Sequence, residues 1–165
     1  MRWPALLKNV VFLATPHHGA PLERAGNWLD VILGSTRFSA PYGRLIKLRS
    51  AGITDLRHGH VLDEDWVGHD RFRRAPDRRR HVPLPCGVRC FALAATRAGK
   101  RSPLADRLVG DGLVPLPSAL GLHDDASRTL GFGKAAQTVF YNMGHIDIPG
   151  RPEVTRQLIE WLAPA

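Results

Sequence analysis

His145 and Asp111 are the two side chains whose type and setting suit proton transfer. His145 lies in Asn142-Met143-Gly144-His145-Ile146-Asp147, and Asp111 in Gly110-Asp111-Gly112-Leu113-Val114-Pro115. An imidazole titrates close to neutrality and can take and return a proton at ordinary pH. A carboxylate on a glycine-flanked turn can accept the ring N–H of such an imidazole and fix its tautomer. Each residue also has a plain structural alternative: a surface-loop histidine, and an aspartate that closes its own Asx-turn. The order acid then histidine, each placed after an apolar segment, favours a base with its orienting carboxylate. Asp106 is the fallback acid but lacks the glycine turn, and Asp147 reads as a local hydrogen-bonding residue.

Three apolar segments are expected to deliver these loops. The stretch 9–22 opens on a short run of β-branched and aromatic residues that ends in Thr15-Pro16-His17-His18-Gly19, the pattern of a buried strand delivering a polar loop. Residues 88–95 and 136–141 form two further strands, the second entered from a glycine-rich turn at 130–133. Between them, 111–120 carries glycine and two prolines and reads as a turn followed by an irregular segment. Helical spacing places Leu22, Ala25, Leu29, Ile32 and Leu33 on one face, and a second helical stretch follows Pro41. Arg57-His58-Gly59-His60 is a loop signal, and no structure is assigned between residues 63 and 85. A last helix begins at Pro152, with Val154, Leu158, Ile159, Trp161 and Leu162 assigned to its apolar face. Gly144 is expected to give the backbone freedom to present His145. The order strand, helices, strand, connection, strand, helix is that of an α/β fold with a parallel sheet and crossover connections. Functional groups then gather beyond the carboxyl ends of the strands, where the loops carrying His17, His18, Asp111 and His145 emerge.

Composition narrows the partners. The chain has 165 residues, 44% hydrophobic and 23% charged, with a formal net charge of +8. That is ordinary for a globular domain apart from its basic balance. Much of the excess sits in Arg71, Arg73, Arg74, Arg78, Arg79 and Arg80, with Phe72, Pro76 and Asp77 interspersed and no recognised nucleic-acid module beside them. A solvated loop is preferred there to a nucleic-acid or phosphate surface. The eight histidines raise a metal site around His17, His18, His58 and His60, but neither His-Glu-x-x-His nor paired Cys-x-x-Cys spacing is present, and no metal or other cofactor is expected. Two cysteines, Cys86 and Cys90, are too few for a disulfide framework, and Cys90 is expected to be a buried thiol. Lys8 and Asn9 interrupt the N-terminal apolar run before it reaches the length of a signal sequence, so a cytoplasmic location is expected.

Phe12-Leu13-Ala14-Thr15-Pro16-His17-His18-Gly19, Gly110-Asp111-Gly112-Leu113-Val114-Pro115 and Gly144-His145-Ile146-Asp147, followed by Pro152-Glu153-Val154 and Trp161-Leu162, together resemble the C-terminal half of an α/β-hydrolase. The resemblance is to the lipase and esterase kind that includes GPI inositol-deacylase-like proteins, and it spans nearly the whole chain. It implies residues 1–165 as a single partial hydrolase domain, with Asp111 the triad acid and His145 the triad base. It further implies a pocket wall from His17, His18 and Gly19, a lid-like insertion across residues 22–85, and a small-molecule or lipid ester as substrate. The departure is the nucleophile. The family's serine sits in a Gly-x-Ser-x-Gly elbow before the acid and the histidine, whereas Ser35, Ser39, Ser50, Ser102, Ser118 and Ser127 all lack that setting. The sequence therefore reads as truncated upstream, inactive on esters by itself, and exposed to self-association along an unpaired edge of the first strand. Two noncatalytic alternatives stand beside it: a degenerate hydrolase fold that keeps a ligand pocket, and a basic nucleic-acid-contacting protein.

Overall fold

The computed structural model describes residues 6–20, 55–56, 58–68, 77–100, 102 and 109–163. The helical faces expected between residues 22 and 54, Asp106, and Arg71 to Arg74 lie outside the described residues. The chain divides into two compact units, Met1–His18 with Pro83–Ala165, and Gly19–Val82.

Among the described residues the first unit contains a three-stranded, all-parallel sheet in which the strands lie in chain order. Its strands are β1 (Asn9–Leu13), β2 (Arg89–Thr96) and β3 (Gln137–Tyr141). Val11 pairs with Phe91, and Ala94 with Val139. Because all three strands run the same way, their carboxyl ends share one edge of the sheet, and the loops expected to carry chemistry leave from it. The α/β class matches the sequence pattern, β1 opens the stretch 9–22, and β2 and β3 lie within a residue of the expected 88–95 and 136–141.

Strand β2 is central and buried from Phe91 to Thr96, which explains its nearly continuous apolar run. Alternation divides that run between two faces. Phe91, Leu93 and Ala95 pack with Ala14, Met143, Ile148, Val154 and Trp161. On the opposite face the residues are small: Ala94 meets Val114, Leu116 and Ala119, and Ala92 meets Leu130 and Phe132. Two alanines there allow the chain that follows Asp111 to lie close against the sheet. That chain forms a one-turn helix, α1 (Leu116–Ala119), rather than a wholly irregular segment.

Helix α2 (Pro152–Leu162) starts where Pro152 can occupy the first turn without loss of a hydrogen bond. Val154, Leu158 and Trp161 turn toward the sheet. Ile159 and Leu162, assigned by sequence to the same face, are instead 65% and 48% exposed. Each follows a core-facing residue by one position, which rotates it by about 100° out of the contact. Trp161 stacks on Phe91 with ring centroids 5.0 Å apart, and Arg89 closes the contact by donating from Nη2 to the Trp161 carbonyl at 3.3 Å.

The second unit contains a 3₁₀ turn at Asp63–Trp66, within the stretch to which no structure was assigned. Its centre is the Asp65 carboxylate, which accepts the backbone N–H groups of Val61, Leu62 and Arg80. Burial alone would raise this carboxyl; the three donors outweigh it and hold it below the usual range. Trp66 donates from Nε1 to Asp55, and the His60 ring lies 4.1 Å from the Trp66 ring. Burial holds the His60 imidazole below its usual range. Arg79 is bidentate on Asp77, at 2.9 and 2.7 Å, and also donates to the Gly59 carbonyl, so one member of the arginine-rich run is structurally engaged.

Trp161→Ala should lower stability by about 3–5 kcal/mol, the cost of deleting a buried aromatic side chain. Denaturant unfolding followed by far-UV circular dichroism checks this. A loss below about 1 kcal/mol would mean that α2 does not depend on the Phe91 contact.

Candidate active site

Asp111 is built into its turn before it meets His145. Gly110 has φ +52 and Gly112 φ +97, backbone conformations in which a side chain is strained. A Cβ on Gly110 would also collide with the Val114 carbonyl oxygen. The turn is closed by Asp111 N–H donating to the Val114 carbonyl at 3.3 Å, and anchored to the sheet by Arg97 N–H donating to the Gly110 carbonyl at 2.8 Å. Within it the Asp111 side chain is 1% exposed. Its Oδ1 accepts the N–H groups of Leu113 and Val114, at 2.8 and 2.7 Å. An Asx-turn is thus present, and it occupies only one carboxylate oxygen.

The second oxygen, Oδ2, accepts from His145 Nδ1 at 2.7 Å. A carboxylate only accepts, so this contact places the imidazole proton on Nδ1 and the lone pair on Nε2. The backbones are tied as well, His145 N–H donating to the Asp111 carbonyl at 3.1 Å. His145 is 31% exposed, and no other described residue engages its Nε2. The pair combines a buried, fully hydrogen-bonded acceptor with an orientated imidazole whose free nitrogen can reach a reacting group, the geometry of general-base catalysis.

The chain reaches His145 differently from the sequence expectation. Gly144 has φ −89, which any residue adopts. The backbone reverses at Asn142, with φ +53, a residue type that tolerates this region. Asn142 N–H donates to the Ala98 carbonyl and Met143 N–H to that of Thr96, so the loop after β3 is fastened onto the end of β2. Space is tight at Gly144: a Cβ there would stand 3.2 Å from Asp147 Oδ2 and 3.3 Å from Arg97 Nε, so these side chains would have to give by a few tenths of an ångström. Asp147 accepts the Gly144 N–H at 2.8 Å, the local role expected of it.

His17 and His18 leave β1 in different directions. The His17 ring packs edge-on to Phe12 at 4.8 Å and against Phe132 at 5.5 Å. Burial, with a smaller contribution from His18, pushes its pKa down to about 4. His18 is pinned to the α1 segment: its N–H donates to Ser118 Oγ at 3.1 Å, its Nε2 lies 3.1 Å from the Gly121 carbonyl, and its ring meets His123 at 4.8 Å. Gly19 has φ +83, a turn position that favours glycine. Among the described residues no three His, Cys, Asp or Glu side chains are grouped to hold a metal ion. Cys86 is exposed and Cys90 half-buried rather than fully buried, and both are free thiols; burial pushes the Cys90 thiol up.

Sequence spacing identified Asp111 and His145 but not Arg97, whose guanidinium lies against both Gly112 and Gly144. The available signal was its position, the first residue beyond the buried run of the central strand.

Because the folded His17 pKa lies below the ordinary value of 6.5, the neutral ring's contribution to stability is complete above pH 6.5 and is lost as pH falls toward 4. Thermal unfolding at pH 7 and pH 4.5 should show a smaller acid-induced loss for His17→Phe, which keeps the aromatic contact without the titration, than for the native chain. Equal losses would remove His17 from the acid response. No helix among the described residues is long and apolar enough to cross a membrane. No protein-family model, curated protein or solved structure matches the chain.

Proposed function

We propose that this chain carries the acid and the base of a serine ester hydrolase of the α/β-hydrolase kind, acting on a small-molecule or lipid ester. The observation that carries the proposal is the buried Asp111 carboxylate held 2.7 Å from His145 Nδ1, at the carboxyl edge of a parallel sheet. In such a reaction His145 Nε2 removes the proton from the attacking hydroxyl as it adds to the ester carbonyl. It then returns that proton to the leaving alkoxide, and activates water to release the acyl group. Asp111 stabilises the imidazolium formed in each step. His17 and His18, on the loop after β1, shape the pocket wall.

The nucleophile comes from a Gly-x-Ser-x-Gly segment, which this sequence does not contain. Strand β1 offers a place for the polypeptide that brings it. Ala14 N–H donates to the Leu93 carbonyl and the Lys8 carbonyl accepts from Arg89. Even-numbered residues of β1 therefore bond to β2, and the backbone groups of Asn9, Val11 and Leu13 face outward. Among the described residues no strand pairs with that edge, which suits either a complementing strand or a second copy of the chain. The absent motif also favours one noncatalytic alternative, a hydrolase fold that retains a ligand pocket.

The chain alone should show no His145-dependent hydrolysis of a short-chain nitrophenyl ester. Joined to the polypeptide encoded directly upstream, it should hydrolyse that ester, with Asp111→Asn lowering kcat by roughly 10⁴-fold and His145→Ala by at least as much. Activity indifferent to His145, or none after joining, would leave only the binding module. Val11→Pro removes an outward-facing donor and leaves the β2 ladder intact. It should abolish strand-mediated association in analytical ultracentrifugation while the monomer stays folded; association unchanged in this variant would place the contact elsewhere.

A further inference from the structure

Arg97 follows β2 directly, and its side chain folds back over the two loops that hold the Asp111–His145 pair. A Cβ on Gly112 would come 2.8 Å from its Cζ, 2.9 Å from Nε and 3.0 Å from Nη2. A Cβ on Gly144 would come 3.3 Å from Nε and 3.5 Å from Nη2. The guanidinium therefore occupies a seat made by two glycines, one beside Asp111 and one beside His145. Arg97 is nevertheless an exposed residue, and no carboxylate or carbonyl among the described residues engages its guanidinium. Asp147, whose Oδ2 approaches the same side of Gly144, has that oxygen engaged by the Gly144 N–H. An arginine that only solvated the surface would extend into water, and one that only braced the loops would spend its donors on their carbonyls. This one lies against the two glycines with its donors unspent.

We propose that Arg97 is a substrate-binding residue that grips an anionic group beside the reacting carbonyl, so that the ester cleaved at this site carries a carboxylate or a phosphate. The planar guanidinium presents paired N–H donors whose spacing matches two oxygens of either group. The seat also fixes distance. The anion is bound over Gly112 and Gly144, one residue along the chain from Asp111 and from His145, so the ester bond lies only a few atoms from the charge. A long unbranched neutral acyl ester gives the guanidinium nothing to bind. This inference rests on Asp111 and His145 being the reacting pair, and it adds the class of ester.

The test reads binding rather than turnover. The isotope-labelled chain is titrated with methyl phosphate and, separately, with butyrate, while the His145 ring and Arg97 Nε–H resonances are followed by NMR. Saturable shifts at both resonances are expected at millimolar concentrations, and the tighter ligand names the group. Arg97→Gln should weaken binding by at least about tenfold, with Arg97→Lys intermediate because it keeps the charge without the fork. If Arg97→Gln loses its dispersed spectrum, Arg97→Lys decides: affinity equal to the native chain for both anions overturns the proposal. Absence of saturable shifts in the native chain, or equal binding by a folded Arg97→Gln variant, overturns it as well. Anion binding that depends on Arg97, beside esterase activity indifferent to His145, would leave the anion site standing and remove the hydrolase.

Discussion

The Asp111 carboxylate is the constraint around which the carboxyl edge of the sheet is arranged. An ionised group taken out of water without compensation costs several kcal/mol, and at 1% exposure Asp111 depends on protein donors for its hydrogen bonds. Two are backbone N–H groups of its own turn, at 2.8 and 2.7 Å, and the third is His145 Nδ1. The first two exist only because Gly110 and Gly112 accept positive φ. The third exists only because the loop after β3 is bonded back onto Thr96 and Ala98. Turn, strand end and histidine are therefore interdependent, and the acid cannot be relocated without dismantling all three.

The sheet makes this arrangement possible through an asymmetry in its central strand. Large residues on one face, Phe91 and Leu93, anchor α2 and the segment from Met143 to Ile148. Alanines on the other face leave room for the chain between Val114 and Ala119. The loop after β2 therefore returns along one side of the strand that it has just left, while the loop after β3 packs on the opposite side. Asp111 and His145 meet across the end of that strand, although 34 residues separate them in sequence. The parallel direction of all three strands is essential, because an antiparallel β3 would carry His145 to the far edge.

How much of this was legible in the sequence depends on the range of the interactions. The strands could be read because each is a short apolar run with local turn signals, and Asp111 because glycines on both sides advertise an unusual backbone. The order of acid and histidine gave the pair, since in a parallel sheet such loops converge. What escaped was set by packing between distant segments. Gly144 has an ordinary φ, and its surroundings are crowded by Arg97 and Asp147 instead, a closeness invisible along the chain. Ile159 and Leu162 are apolar yet face away, because α2 touches the sheet along a stripe narrower than its apolar composition. The three N–H donors of Asp65 include Arg80, 15 residues away, so an uninterpretable polar segment acquired a defined centre.

The histidines show why residue type alone could not assign the base. His17 and His145 both follow parallel strands at the same sheet edge, and on position either could accept a proton. Their surroundings separate them. His17 lies between Phe12 and Phe132, and burial drives its pKa down to about 4, so a proton taken from a hydroxyl would be held there at a disadvantage near neutrality. His145 is placed differently: its Nδ1 donates to the Asp111 carboxylate, and its ring keeps a path to solvent. In the proposed reaction a positive charge forms on the base, and of these two rings only His145 has a carboxylate beside it. Phe12 and Phe132 thus keep one imidazole neutral in the packing of a loop, whereas Asp111 orients the other with its second nitrogen open to a reacting group.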